Sequence, residues 1–196
     1  MQVTDTIRKW ILFFYLMDTN KDGVLEPSDF DELLERLYST RKGLFNETEK
    51  NYLKYITVKN FDRLLMESDG KGRKITVHEW VRIIQRSNES EEKSYFIRWF
   101  SASVVRFLFD LCDHNKDGFI DFDEFETLYR ILGLKRGTII FAFKELDINR
   151  DGRLSKSEMY DAINEYFSSS NATINNHIFG QLENINDEYF SKLIIG

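Results

Sequence analysis

At 196 residues the chain is long enough for two small hydrophobic cores, and its 42% hydrophobic and 15% aromatic content with a single proline excludes a disordered chain. The net charge of −6 is uneven, +1 over residues 1–88 and −7 over residues 89–196, and no basic patch is interleaved with aromatics, which excludes a nucleic-acid partner. One cysteine, Cys112, rules out an internal disulfide and suits a reducing, cytoplasmic compartment.

Arg8 and Lys9 precede the apolar run Trp10–Met17, which imitates the core of a secretory signal. No small-residue cleavage site follows, the run is too short to span a bilayer, and Ile7, Trp10, Ile11, Phe14 and Met17 keep helical spacing. The expectation is a helix leading into a loop, in a protein with no transmembrane segment. Without a signal, the sequons at Asn46, Asn88 and Asn171 read as coincidence.

The loop is Asp18–Asp29. Asp18, Asn20 and Asp22 occupy positions 1, 3 and 5, so short side-chain oxygens converge; Gly23 at position 6 permits the sharp turn, and Val24 at position 7 offers its carbonyl. Asp29 closes the loop at position 12. This is the EF-hand pattern for a hard, oxygen-loving dication. Asp29 is one methylene shorter than the usual Glu, which favours six-coordinate geometry and greater tolerance of Mg²⁺. An exit helix is expected from Pro27-Ser28 to about Tyr38.

Asn46 and Glu49 form a helix-start signature, with Tyr52, Ile56, Phe61 and Leu64–Leu65 as the candidate buried face. Ser68–Glu79 then reads as a damaged copy of the loop. Ile75, Glu79 and Trp80 fit positions 8, 12 and 13, but Ser68, Gly70 and Gly72 stand at the ligand positions and Arg73 replaces the turn glycine. Lys71, Arg73 and Lys74 repel a cation, so this loop is expected to be metal-free and kept as a folding partner for the first.

A short polar stretch, Ser87–Ser94, separates the halves. The next helix carries Tyr95, Phe96, Trp99, Phe100, Phe107 and Leu111, a stripe expected to be core, and Cys112, expected to be buried and inert. It leads into a complete loop: Asp113, Asn115 and Asp117, Gly118, the Phe119 carbonyl and Glu124. Asp147–Glu158 is complete again, with Asp147, Asn149, Asp151, Gly152, the Arg153 carbonyl, Ser155 at position 9 and Glu158. The register repeats throughout, with Phe14, Leu64, Phe109 and Phe143 four residues before each loop and Leu25, Ile75, Ile120 and Leu154 at position 8. His78, His114 and His177 have no nucleophile or second ligand at useful spacing, and no catalytic site is expected. The apolar residues of the tail, among them Ile178, Phe179 and Leu182, are expected to dock on the core.

The expected fold is all-α: two pairs of EF-hands, residues 1–90 and 91–170, with an apolar tail over 171–196. Four hands with the second defective, Asp29 closing the first loop, the linker Ile131-Leu132-Gly133-Leu134 and the tail Asn176-His177-Ile178-Phe179-Gly180-Gln181-Leu182 resemble the invertebrate sarcoplasmic calcium-binding proteins. Their relative calexcitin is similar through Glu165-Tyr166-Phe167 and the same tail, although its second and fourth loops differ in quality from these. The likeness runs from Trp10 to Leu182; residues 183–196 extend past the family's usual ending. It implies a compact, monomeric, non-enzymatic cytosolic buffer of calcium and magnesium, with metal in three loops. Two other functions fit the motifs. A sensor would carry its signal to a protein target, but only Met1, Met17, Met66 and Met159 are available for an adaptable groove. A coelenterazine-binding photoprotein or luciferin-binding protein shares the pattern of active loops, but the helix Ile7–Met17 lacks a histidine for such a pocket.

Overall fold

The computed structural model describes residues 4–68, 72–89, 94–168 and 177–180. Within them are eight helices: α1 (Asp5–Met17), α2 (Pro27–Thr40), α3 (Glu47–Leu65), α4 (Val77–Asn88), α5 (Ser94–Cys112), α6 (Phe122–Ile131), α7 (Arg136–Leu146) and α8 (Lys156–Ser168). Four very short strands lie between the helices of each hand: β1 (Val24–Leu25), β2 (Ile75–Thr76), β3 (Phe119–Asp121) and β4 (Arg153–Ser155). The fold is all-α with paired EF-hands, as the sequence indicates. The chain divides into two compact units, with the boundary between Arg86 and Ser87 in the last turn of α4.

In the first unit, helix starts follow local chemistry. Thr4 accepts the Ile7 N–H at the head of α1. Asn46 and Glu49 make a reciprocal capping box, with both bonds at 3.0 Å, which contributes about 1 kcal/mol to α3. The strands pair antiparallel, Val24 opposite Thr76 and Leu25 opposite Ile75, so the position-8 residues of the two loops meet. A further bond runs from the Val77 N–H to the Gly23 carbonyl at 3.2 Å. Beneath this ladder Phe14, Leu25, Leu37, Phe61, Ile75, Trp80 and Ile84 are buried. Each such side chain contributes about 1.5–3 kcal/mol by leaving water.

The buried face of α3 keeps the expected Phe61 and Leu64 but is shifted by one residue in its first half. Leu53, Thr57, Phe61 and Leu64 point inward, while Tyr52 is exposed and Ile56 half-buried. The interior takes Leu53 in preference to Tyr52, whose phenol hydroxyl is better left in water.

The second unit repeats the plan. Phe119 pairs with Ser155, Ile120 with Leu154 and Asp121 with Arg153. Tyr129 and Phe125 stack with ring centres 3.9 Å apart, and Phe143 meets Phe125 edge-on at 5.4 Å. Phe96, Phe100, Leu111 and Cys112 are buried, but Tyr95 is exposed near the start of α5. The segment His177–Gly180 packs here: Ile178 and Phe179 are buried, and the Phe179 ring lies edge-on to Tyr166 at 5.0 Å. Leu182 lies outside the described residues.

Candidate metal centres

The loops joining α1 to α2 (loop I), α3 to α4 (loop II), α5 to α6 (loop III) and α7 to α8 (loop IV) carry the candidate ligands. In loop I, Asp18 accepts the Asp22 N–H on Oδ1 at 3.3 Å and the Gly23 N–H on Oδ2 at 2.8 Å. Asn20 Oδ1 also accepts the Asp22 N–H, at 2.9 Å, and Asp22 Oδ1 accepts the Val24 N–H at 2.9 Å. Three short side chains thus wind the backbone around a common centre.

Loops III and IV reproduce this lattice bond for bond. Asp113 accepts from Asp117 and Gly118 at 3.1 and 3.0 Å, Asn115 from Asp117 at 2.8 Å, and Asp117 from Phe119 at 2.9 Å. In loop IV, Asp147 accepts from Asp151 and Gly152, Asn149 from Asp151, and Asp151 from Arg153, all between 2.9 and 3.1 Å. The winding places Lys21, Lys116 and Arg150, at position 4, in the left-handed region with φ of 58° to 61°. Gly23, Gly118 and Gly152 at position 6 follow with φ of 80° to 85°. Non-glycine residues rarely adopt such a φ, so three in register mark a shape imposed by the loop lattice.

The position-12 carboxylate ties the two ends of each loop together. Asp29 takes the Thr19 N–H and hydroxyl on Oδ1, at 3.0 and 2.9 Å, and the Glu26 N–H on Oδ2 at 2.9 Å. Glu124 takes the His114 N–H at 2.9 Å and the Asp121 N–H at 3.0 Å. Glu158 takes the Asn149 N–H at 3.4 Å, with the Ser155 N–H and hydroxyl at 2.9 and 2.7 Å. Position 9 therefore works as a helix cap answering position 12. Ser155 stands out in the sequence at position 9; Asp121 does not, although the three-residue spacing of both from Glu124 and Glu158 is the capping-box signal.

Electrostatics separate the two glutamates. Burial pushes the Glu124 carboxyl above its ordinary value, and the charges of Asp121 and Asp113 add to this, against bonds from the Asp121 and Asn115 backbone. Burial acts on Glu158 too, but the Ser155 N–H and hydroxyl and the Asn149 and Ile148 N–H groups outweigh it, leaving that carboxyl below its ordinary value. A carboxylate buried beside others, as at Glu124, is stabilised by a nearby cation.

Among the described residues no three Asp, Glu, His or Cys side chains are gathered as a ready chelate. Each loop offers a mixed donor set instead: carboxylates, one amide oxygen and one backbone carbonyl. All of these donors are hard oxygens, which fits Ca²⁺ or Mg²⁺ and not a softer metal. Phe119 and Arg153 stand on the paired strands β3 and β4, and the Arg153 guanidinium lies 4.2 Å from the centre of the Phe119 ring.

Loop II lacks the lattice in its described part. The Ser68 hydroxyl bonds back to the Leu65 carbonyl at 2.9 Å, and Arg73 pairs with Asp62 at 2.6 Å. The left-handed glycine is Gly72, φ 92°, one position earlier than in the other loops. Glu79 has the capping role, accepting the Thr76 N–H and hydroxyl at 2.8 Å each, and Asp69, at position 2, lies outside the described residues. Gly70 and Lys71 lie outside the described residues.

The sequence profile of the EF-hand domain pair matches residues 8–130, and that of a single EF hand matches residues 140–161. The chain belongs to the EF-hand family, and it is a calcium-binding protein and not an enzyme. Its fold is that of the sarcoplasmic calcium-binding proteins. The structure of one from amphioxus superposes with a TM-score of 0.72 at 16% identity, covering 90% of this chain and 96% of that one. Calerythrin from Saccharopolyspora erythraea is 27% identical over 150 residues, 76% of this chain and 84% of its own. The calcium-loaded apo form of the coelenterazine-binding protein from Renilla muelleri has a TM-score of 0.69 at 19% identity, over 90% of this chain and 95% of that one. Among the described residues no helix is long and apolar enough to cross a membrane.

Proposed function

We propose that this chain is a monomeric cytosolic buffer that takes three ions, in loops I, III and IV. The ligands are Asp18, Asn20, Asp22, the Val24 carbonyl and Asp29; Asp113, Asn115, Asp117, the Phe119 carbonyl and Glu124; and Asp147, Asn149, Asp151, the Arg153 carbonyl and Glu158. The ions are Ca²⁺, with Mg²⁺ admitted most readily in loop I, where Asp29 is the shorter closing arm.

The observation that carries this reading is the identical hydrogen-bond lattice of these three loops, set against the Ser68, Gly72 and Arg73 arrangement of loop II. A buffer, as opposed to a sensor, is supported by the burial of Phe179 against Tyr166, which covers apolar surface that a target would otherwise need. The fold shared with a coelenterazine-binding protein gives a light-emitting role no more support than the other two.

Calorimetric titration with Ca²⁺, with and without millimolar Mg²⁺, tests the proposal. Three bound ions are expected; two, or four, would overturn it. A calcium-dependent rise in apolar-dye binding, or calcium-dependent capture of a defined target peptide, would favour the sensor.

A further inference from the structure

Loop I differs from loops III and IV in the placement of one side chain. All three carry a cation at position 4, but Lys116 and Arg150 are exposed whereas Lys21 is half-buried. Lys21 folds back over the end of α1. Its Nζ lies 3.7 Å from the centre of the Tyr15 ring and donates to the Tyr15 carbonyl oxygen. Tyr15 stands three residues before the loop; the residues in that place in the other two hands are Asp110 and Lys144, and neither presents an aromatic face. In the same loop Asp18 and Asp29 are 0% and 1% exposed, whereas Asp113 and Asp147 at position 1 of loops III and IV are only half-buried. Hand I therefore holds a clamped positive charge in the same loop as two buried carboxylates.

We propose that Lys21, held by Tyr15, is an internal counter-cation of loop I, which offsets Asp18 and Asp29 and weakens that loop's hold on a dication relative to loops III and IV. The reasoning is Coulombic. A fixed positive charge repels an incoming ion, and it does so more strongly in a half-buried setting than at a wet surface. The inference rests on the proposal that loop I takes an ion.

The test is Ca²⁺ titration of the full chain, with each loop followed by NMR through the amide of its position-6 glycine: Gly23, Gly118 or Gly152. Lys21→Met keeps the length of the side chain and the demand for a left-handed backbone but removes the charge. It should tighten binding at Gly23 about three- to tenfold, leaving Gly118 and Gly152 unchanged. Lys21→Arg should keep wild-type affinity, and Tyr15→Leu, which keeps the charge and the backbone acceptor but removes the ring, should give a smaller gain. Lys21→Gln, a second uncharged variant, should match Lys21→Met and serves if that variant folds poorly. Unchanged or weaker binding at Gly23 in both uncharged variants overturns the inference while the three-ion reading stands. A wild-type Gly23 amide that ignores Ca²⁺ overturns both.

Discussion

Trp80 donates its indole N–H to the carbonyl oxygen of Trp10 at 2.8 Å, a bond that joins residues 70 apart in sequence. Trp80 also stacks on Phe13, with ring centres 5.6 Å apart, and is fully buried. The second hand therefore grips the helix that leads into loop I. Trp80→Phe keeps most of the packing and removes the bond, at about 1 kcal/mol; Trp80→Ala should cost about 3–5 kcal/mol. Denaturant unfolding monitored for the first unit checks both, and equal losses for the two variants would assign the whole effect to the hydrogen bond.

Gly118 has φ of 83°, and nothing lies within 4 Å of where a Cβ would stand. Space is not the constraint; backbone strain is. Gly118→Ala should destabilise the second unit by about 1–2 kcal/mol and weaken binding in loop III. A neutral result in thermal unfolding would mean that the turn relaxes.

Asp29 is almost wholly buried and already holds both ends of loop I through its two oxygens. Asp29→Glu lengthens the arm and should raise the preference for Ca²⁺ over Mg²⁺ in that loop, measured by competition titration. An unchanged ratio would show that loop geometry, and not side-chain reach, sets selectivity.

Phe179 packs on Tyr166 and on Phe167, the latter with ring centres 6.2 Å apart. Phe179→Ala should cost about 3–5 kcal/mol and increase apolar-dye binding in the calcium-loaded protein. A variant equal to wild type in both measurements would remove the segment's role as a structural plug.

The loops were the most legible part of the chain because metal chemistry demands particular atoms at particular spacings. Asp113, Asn115, Asp117 and Gly118 leave little freedom once read in order. The register that places Leu25, Ile75, Ile120 and Leu154 at position 8 also shows in the sequence, but the strands they form do not. Two or three residues carry no period-2 signal, and the pairing comes from bringing two loops together. The first half of the α3 face was misplaced by one residue, while Phe61 and Leu64 lie where expected, because Tyr52 and Leu53 are both apolar enough to satisfy a helical count, and only packing decides between them. Gly72 takes over the turn in loop II because Arg73, at the usual position, would be strained there. The fold-back of Lys21 onto Tyr15 depends on two side chains six residues apart across a helix end, a relationship that no spacing rule encodes.

The hydrogen bonds that wind loops I, III and IV also bear on speed. Part of their curvature is held by the protein's own N–H groups, at Gly23, Gly118 and Gly152 among others. Each such bond lowers the chain ordering left to be done at the moment of capture. The slow step then belongs to the ion, which must shed its water. Mg²⁺ releases water reluctantly and Ca²⁺ readily. Loops so pre-wound would sort the two ions by rate of arrival before any difference in final affinity is felt.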